Sequence, residues 1–422
     1  MYKKTTFPNG LRLITVPTTG TSSASVFVIF GVGSRYERRD INGASHFIEH
    51  LMFKGTDKRP TTLDISKSLD SVGAEFNAAT SKDWTGYYVK IDAKKIELAV
   101  DVLSDMLYHS KFDNEEINRE RGVIVEEINM YHDNPIMYIE DVAEQLLFPD
   151  STLGWEIAGP RELIKKVPRS KMIAYRDAYY VPENTVVVVA GNIDNKITQL
   201  IKKYFVTKKV KTSKVKKYSP FKSKQTKPRV KVVYRDTQQV QLALGFPAYS
   251  YSDKRIYALY LMAVILGGNM SSRLFISVRE RKGLAYFVRS YPNVYQDTGD
   301  LIIQSGLDKA RLEEAIHTIL DELKKMRAEG VTEDELVKAK DYMRGKMVLT
   351  LEDTSSLADW YAKQEILENS SLTPEKKLAM LDRVTTADVK KVAKDLFQKN
   401  KINLAIIGPY KNGKVFNKLF DL

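Results

Sequence analysis

Residues 44–56 read ASHFIEHLMFKGT and hold two of the chain's five histidines, with a glutamate between them. On a helix, side chains four positions apart lie on one face, one turn from each other. His46 and His50 would then present two imidazoles to a single ion, with Glu49 beside them. A carboxylate in that place can hold a water molecule and take its proton. Imidazole and carboxylate donors suit zinc, whose catalytic sites combine three protein ligands with one open position. The chain has no cysteine, so it forms no disulfide and any third ligand is His, Asp or Glu. The competing account is a buried helix whose polar residues hold nothing. A pattern with three fixed positions in five does not decide between the two.

A second helix has to supply the third ligand. Over 114–131, Ile117, Ile124, Ile128 and Tyr131 recur at helical spacing. Glu120 and Glu127 fall on that apolar stripe, whereas Glu115 and Glu126 do not. Carboxylates on a buried stripe are costly unless something cationic meets them. A metal would do so; an ion pair with Arg119, Arg121 or a distant base is the other reading.

The chain repeats itself. VPRSKMIAYRDAYYVPENTVVVVAGN (167–192) parallels VTTADVKKVAKDLFQKNKINLAIIGP (384–409), and in both 24 positions separate the opening Val from a Gly. Each reads as a capped amphipathic helix, a turn and a buried strand. DNEEINRERGVIVEEI (113–128) parallels TEDELVKAKDYMRGKM (332–347), and SASVFVIFG (23–31) matches QVQLALGF (239–246) more loosely. Strands come first, then helices, then a closing strand. That order predicts an α+β fold of two duplicated domains, each a mainly antiparallel sheet packed with helices. The expected domains are 1–208, with the metal residues, and 231–422, without them, joined by a basic linker at 209–230. Aligning Gly55 with Gly268 sets His46, Glu49 and His50 against Leu259, Met262 and Ala263. The second copy of the helix is therefore built from apolar residues alone, so packing does not require the polar trio. Lys346 stands near the place of Glu127.

The 422 residues are 43% apolar and 28% charged, values of a globular protein with a real core. The net charge is +13, and residues 202–231 hold 12 Lys and one Arg and no acid. The remaining 53 bases equal the 53 acids. A nucleic-acid patch is one reading of this stretch. A solvated connector broken by Pro220 and Pro228 is preferred, since like-charge blocks usually serve as connectors or tails, and no nucleic-acid partner is expected. The N-terminal residues show no signal peptide, and no apolar run reaches the roughly 18 residues a membrane span needs. A cytoplasmic location is the expectation.

HFIEHLMFKGT closely resembles the metal motif of the inverzincin peptidases, the family of pitrilysin, insulin-degrading enzyme and mitochondrial processing peptidase. The third ligand there is a glutamate some 76 residues past the last His, and 76 residues lie between His50 and Glu127. The resemblance implies one zinc per chain on His46, His50 and Glu127, Glu49 as general base, and Glu120 as a supporting carboxylate. EFNAATSKDWTGYYVKI (75–91) resembles the family's paired strands beside the metal, where Asn77 and Ala78 would contact the substrate backbone. SVRERKGLAYFV (277–288) resembles its Arg/Tyr segment, so Arg279 and Tyr286 would orient substrate and stabilise the oxyanion. GGNMSSRLF (267–275) resembles its glycine-rich loop. The likeness covers nearly the whole chain and is to the short, two-domain members. It implies an endopeptidase acting on unfolded peptides or presequences held extended in a chamber. It also implies a homodimer, or a heterodimer with an inactive relative. Some members of the fold family are non-catalytic partner or core subunits, which is the alternative function.

Overall fold

Two stretches, SASVFVIF at 23–30 and TVVVVAG at 185–191, are apolar at nearly every position, the pattern of strands buried on both faces. The computed structural model describes residues 2–206 and 215–420 and sets these two strands side by side inside a sheet. Its strands are β1 (Lys3–Thr6), β2 (Arg12–Pro17), β3 (Ser23–Phe30), β4 (Glu75–Thr80), β5 (Thr85–Asp92) and β6 (Thr185–Gly191), in the order β1-β2-β6-β3-β5-β4. Only β2 and β6 run parallel. The second sheet has β7 (Arg229–Tyr234), β8 (Gln239–Ala248), β9 (Ala285–Val294), β10 (Gly299–Asp308) and β11 (Asn403–Gly408), in the order β7-β11-β8-β10-β9. Only β7 and β11 run parallel.

The five strands β2-β6-β3-β5-β4 and the five of the second sheet follow one plan, with the closing strand of each half in the same place. The α+β duplication read from the repeats is thus the observed fold. The repeated 24-residue spacing is a helix followed by the closing strand: Arg169–Tyr179 then β6, and Thr386–Leu396 then β11. Both stretches on either side of the 113–128/332–347 match are helices, Asn114–Asp133 and Glu333–Leu351.

Each sheet needs cover on both faces. On the first, Val26, Val28 and Phe30 face a core that includes the helix Ala44–Met52, while Phe27 and Ile29 face the helix Thr354–Lys363. That second cover comes from the far half of the chain. Leu357, Ala358, Tyr361 and Ala362 of the helix pack on Val186 and Val188, and Thr354 Oγ1 meets Ser25 Oγ at 2.8 Å. Buried Glu365 accepts ion pairs from Lys4 at 2.6 Å and Arg12 at 3.2 Å. The second sheet is covered the same way in reverse: Ile139, Val142, Ala143 and Leu147 of the helix Pro135–Leu147 pack on Ala243, Ile302, Ala405 and Ile407.

The two compact units therefore differ from the contiguous halves. One comprises residues up to Ile128, Trp155–Ser219 and Val348–Leu372; the other comprises Asn129–Gly154, Pro220–Met347 and Thr373 onward. Each keeps one half's sheet and takes a cover helix from the other half. The expected boundary at 208/209 lies outside the described residues, and Arg229 and Val230, at the end of the expected linker, already belong to β7. Among the described residues no helix is long and apolar enough to cross a membrane.

Candidate metal centre

The helix Ala44–Met52, here the motif helix, is held by its apolar face: Phe47, Ile48, Leu51 and Met52 are fully buried. Its counterpart Ile256–Ala263 buries Leu259, Met262 and Ala263 at the positions matching His46, Glu49 and His50. The same helix packs with or without the polar trio, as the internal alignment predicts. Its N-terminus has no Ser, Thr, Asp or Asn cap. The chain enters through Gly43 at φ +96°, where a Cβ would lie 2.4 Å from Ala158 O. The cap is instead the carboxylate of Glu37, which accepts from Gly43 N and Ser45 N at 2.7 Å each and from Asn42 Nδ2 at 3.0 Å. Burial pushes the Glu37 carboxyl up to about 7, and these donors hold it back from going further. A negative group at a helix N-terminus is favoured by the helix dipole. Sequence reasoning missed Glu37 because it lies six residues before the first capped N–H rather than at the cap itself.

On the open face of the motif helix, His46 Nε2 and His50 Nε2 stand 3.3 Å apart. Glu127 reaches them from the long helix Asn114–Asp133, with Oε2 at 3.6 Å from His46 Nε2 and 3.5 Å from His50 Nε2. These three residues form the one His/Asp/Glu cluster with metal-holding geometry among the described residues. Atoms bound 2.0–2.2 Å from a tetrahedral zinc lie about 3.3–3.6 Å from one another, so the observed spacing fits such an ion. Of the alternative ion pairs, those from Arg119 and Arg121 fail, since Arg119 pairs with Glu115 and Glu116 and Arg121 donates to Ile164 O and Val167 O, whereas a distant base, Lys54, does meet Glu120.

The surroundings hold these side chains in place. His50 Nδ1 meets Glu120 Oε2 at 2.9 Å, and Lys54 Nζ meets Glu120 Oε1 at 2.7 Å. In the neutral ring, donation from Nδ1 would leave the Nε2 lone pair of His50 aimed at Glu127 and His46. Glu120 is 3% exposed. Burial disfavours its charge, but His50 and Lys54 outweigh that and keep it ionised. On the protein atoms alone, burial opposes charge on His50, yet Glu120 and Glu127 raise it to about 9; burial and the neighbouring His50 lower His46 to about 4. Hydrogen bonding from His50 keeps Glu127 ionised. Metal coordination requires both rings neutral, so binding would release a proton from His50. Replacing Glu120 by Gln should weaken zinc affinity about 10–100-fold, read by competition with a chromogenic chelator.

Glu49 does not join the ligand cluster. Its carboxylate accepts a hydrogen bond from Thr80 at the end of β4. Burial raises its pKa, and the Thr80 bond and His50 oppose the rise. Thr80 was not singled out from sequence, and no local signal marks it. Asn77 and Ala78 lie on β4, which is the edge of the sheet; Ala78 N donates to Asn77 Oδ1 at 2.8 Å. Arg279 and Tyr286 belong to the other unit. They lie together, the Arg279 guanidinium 5.9 Å from the Tyr286 ring centre and 4.7 Å from that of Phe275. Tyr286 is 77% exposed. One stripe position departs from expectation: Tyr131 is 37% exposed, because the stripe leaves the core after Ile128. Lys346, opposite Glu127 in the repeat, is exposed.

Residues 12–161 match the description Insulinase (Peptidase family M16), and residues 166–343 match Peptidase M16 inactive domain. An uncharacterized zinc protease of Bacillus subtilis, YmxG, is 36% identical over 412 residues, 98% of this chain and 99% of its own. The chain belongs to peptidase family M16. A second relative, an uncharacterized zinc protease of Streptomyces coelicolor, is 35% identical over 99% of this chain and 92% of its own. Two solved structures share the M16 fold. A Helicobacter pylori protease superposes with TM-score 0.91 at 24% identity, over 97% of this chain and 99% of its own. A Pseudomonas fluorescens peptidase M16 inactive domain gives 0.89 at 18%, over 98% and 99%. In this M16 chain, all four residues His46, Glu49, His50 and Glu127 fall inside the Insulinase match.

Proposed function

We propose that the chain is a zinc endopeptidase that cuts unfolded peptides or presequences lying along β4. The observation that carries this reading is the convergence of His46, His50 and Glu127 on one point, with Glu49 held beside it by Thr80 of the edge strand. One zinc per chain, when bound, would lower the pKa of a water and polarise the peptide carbonyl. Glu49 takes the proton of the attacking water. As the water oxygen bonds to the carbonyl carbon and the C–N bond breaks, Glu49 passes that proton to the leaving amine. Glu120 and Lys54 keep the His50 ring in its orientation. The free edge of β4, with Asn77 and Ala78, suits an extended chain added as one more strand. Arg279 and Tyr286, on the resemblance stated above, orient substrate and neutralise the oxyanion. A homodimer is the working assembly, a heterodimer with an inactive relative its alternative.

The second reading, a non-catalytic subunit of this fold, is favoured by the matched descriptions that contain the words inactive domain. Metal analysis and digestion of a mixed peptide library separate the two. The peptidase reading expects one zinc per chain and defined cuts, both lost in His50→Ala. An intact fold with no zinc and no cuts supports the non-catalytic reading.

A further inference from the structure

A hollow of about 390 Å³ lies on the face of the first sheet opposite the motif helix, beside the free edge of β4. It arises from two small residues side by side. Ala79 of β4 pairs with Gly86 of β5, and a side chain at 86 would run into Phe27 at 2.7 Å. Around this floor stand Tyr88, Trp84 and Trp360, the last from the cover helix Thr354–Lys363. The walls are fixed: Tyr88 stacks on Phe27 with rings 6.2 Å apart, and Trp360 Nε1 donates to Leu372 O at 3.3 Å.

The strand geometry says what reaches this hollow. Side chains alternate across a strand. Phe76 and Ala78 of β4 pack toward the motif-helix core, and Thr80 binds Glu49 on that side. Asn77 and Ala79 lie on the other side and line the hollow. A peptide added to β4 continues the same pleat. Its side chains pointing toward the motif helix alternate with side chains pointing at the hollow.

Resting on the reading that a peptide adds to β4, we infer that this hollow is a specificity pocket for one large apolar or aromatic side chain of the substrate. The rim argues for apolar over charged occupants. Lys363 sits with Nζ 4.4 Å from the Trp84 ring centre, where a substrate cation would go, and Asp359 neutralises it at 2.9 Å. The chain thus fills its own cation position and leaves the aromatic walls.

The test uses the full-length zinc-loaded chain, a mixed peptide library and two variants. Ala79→Phe fills the pocket from an exposed position on the strand; Trp360→Ala removes one wall. Wild type should favour Phe, Tyr or Leu over Gly at one fixed position from the cut by about 10-fold or more. Both variants should lose that preference at that position alone, the profile at the other positions from the cut keeping its order. A second measurement is independent of cleavage. Two of the chain's three tryptophans, Trp84 and Trp360, line the pocket. In Glu49→Gln with Trp155→Phe, a peptide carrying Phe should change the tryptophan fluorescence, its Gly counterpart should not, and adding Ala79→Phe should abolish the change. Cleavage with a profile unaltered by both variants overturns the pocket and leaves the peptidase reading standing. A fluorescence response without cleavage supports the pocket and removes the peptidase reading. Neither response overturns both.

Discussion

Glu49→Gln should lower kcat for peptide cleavage by about 10²–10⁴-fold, the span of a lost general base, while zinc stays at one per chain. The substitution keeps the size and shape of the side chain and its contact with Thr80. It leaves the converging atoms of His46, His50 and Glu127 untouched, since Glu49 is not among them. What disappears is the group able to take a proton from water and return it to the amine. The loss should therefore fall on kcat, with KM little changed, because β4 and its pocket still hold the peptide. His50→Ala provides the contrast, losing metal and activity together. Metal analysis by mass spectrometry and steady-state kinetics on one fluorogenic peptide read both. Undiminished cleavage in Glu49→Gln, or zinc lost along with activity, would remove Glu49 from the role of base.

The second large effect concerns the fold. Residues 1–206 and 215–422, produced separately, should each fail to give a soluble folded protein. The first piece lacks the helix Thr354–Lys363 and bares Phe27, Ile29, Val186 and Val188; the second lacks Pro135–Leu147 and bares Ala243, Ile302, Ala405 and Ile407. Uncovering a large apolar side chain costs about 1.5–3 kcal/mol, and a domain's whole stability is about 5–15 kcal/mol. The four bared in the first piece are comparable with the total, and the second piece bares Ile302 and Ile407 beside two alanines. The first piece also leaves Lys4 and Arg12 without the buried Glu365. Circular dichroism and thermal melting of each piece, alone and co-expressed, check this. A cooperative melt from either piece alone would show that the exchanged helices are dispensable.

The cluster of His46, His50 and Glu127 was legible because helical geometry is local. Four positions put His46 beside His50, and the stripe through Ile117, Ile124 and Ile128 carried Glu120 and Glu127 inward. The repeat added a comparison within one chain, which showed that packing does not require His46, Glu49 and His50. Other parts could not be read. Glu37 acts across a loop on the helix N-terminus, and Thr80 meets Glu49 across 31 positions of sequence, so no periodicity points to either. The cover helices show the same limit at larger scale. The apolar faces of Pro135–Leu147 and Thr354–Lys363 announce that each packs on something, but an amphipathic stripe carries no address for the sheet it covers. Contiguous halves were the natural reading, and the exchange became visible only in three dimensions. Arg279 and Tyr286 rest on resemblance, for an arginine near a tyrosine at a helix-to-strand turn is common.

The exchange of cover helices also bears on how such a chain could have arisen. A primitive chain of one half would have carried one sheet and one cover helix. Two copies trading that helix would have closed both, as domain-swapped dimers do. Joining the copies end to end would then turn a swap between molecules into a swap within one. The covering of either sheet then places no demand on His46 and His50, which stand on the motif helix and not on a cover helix.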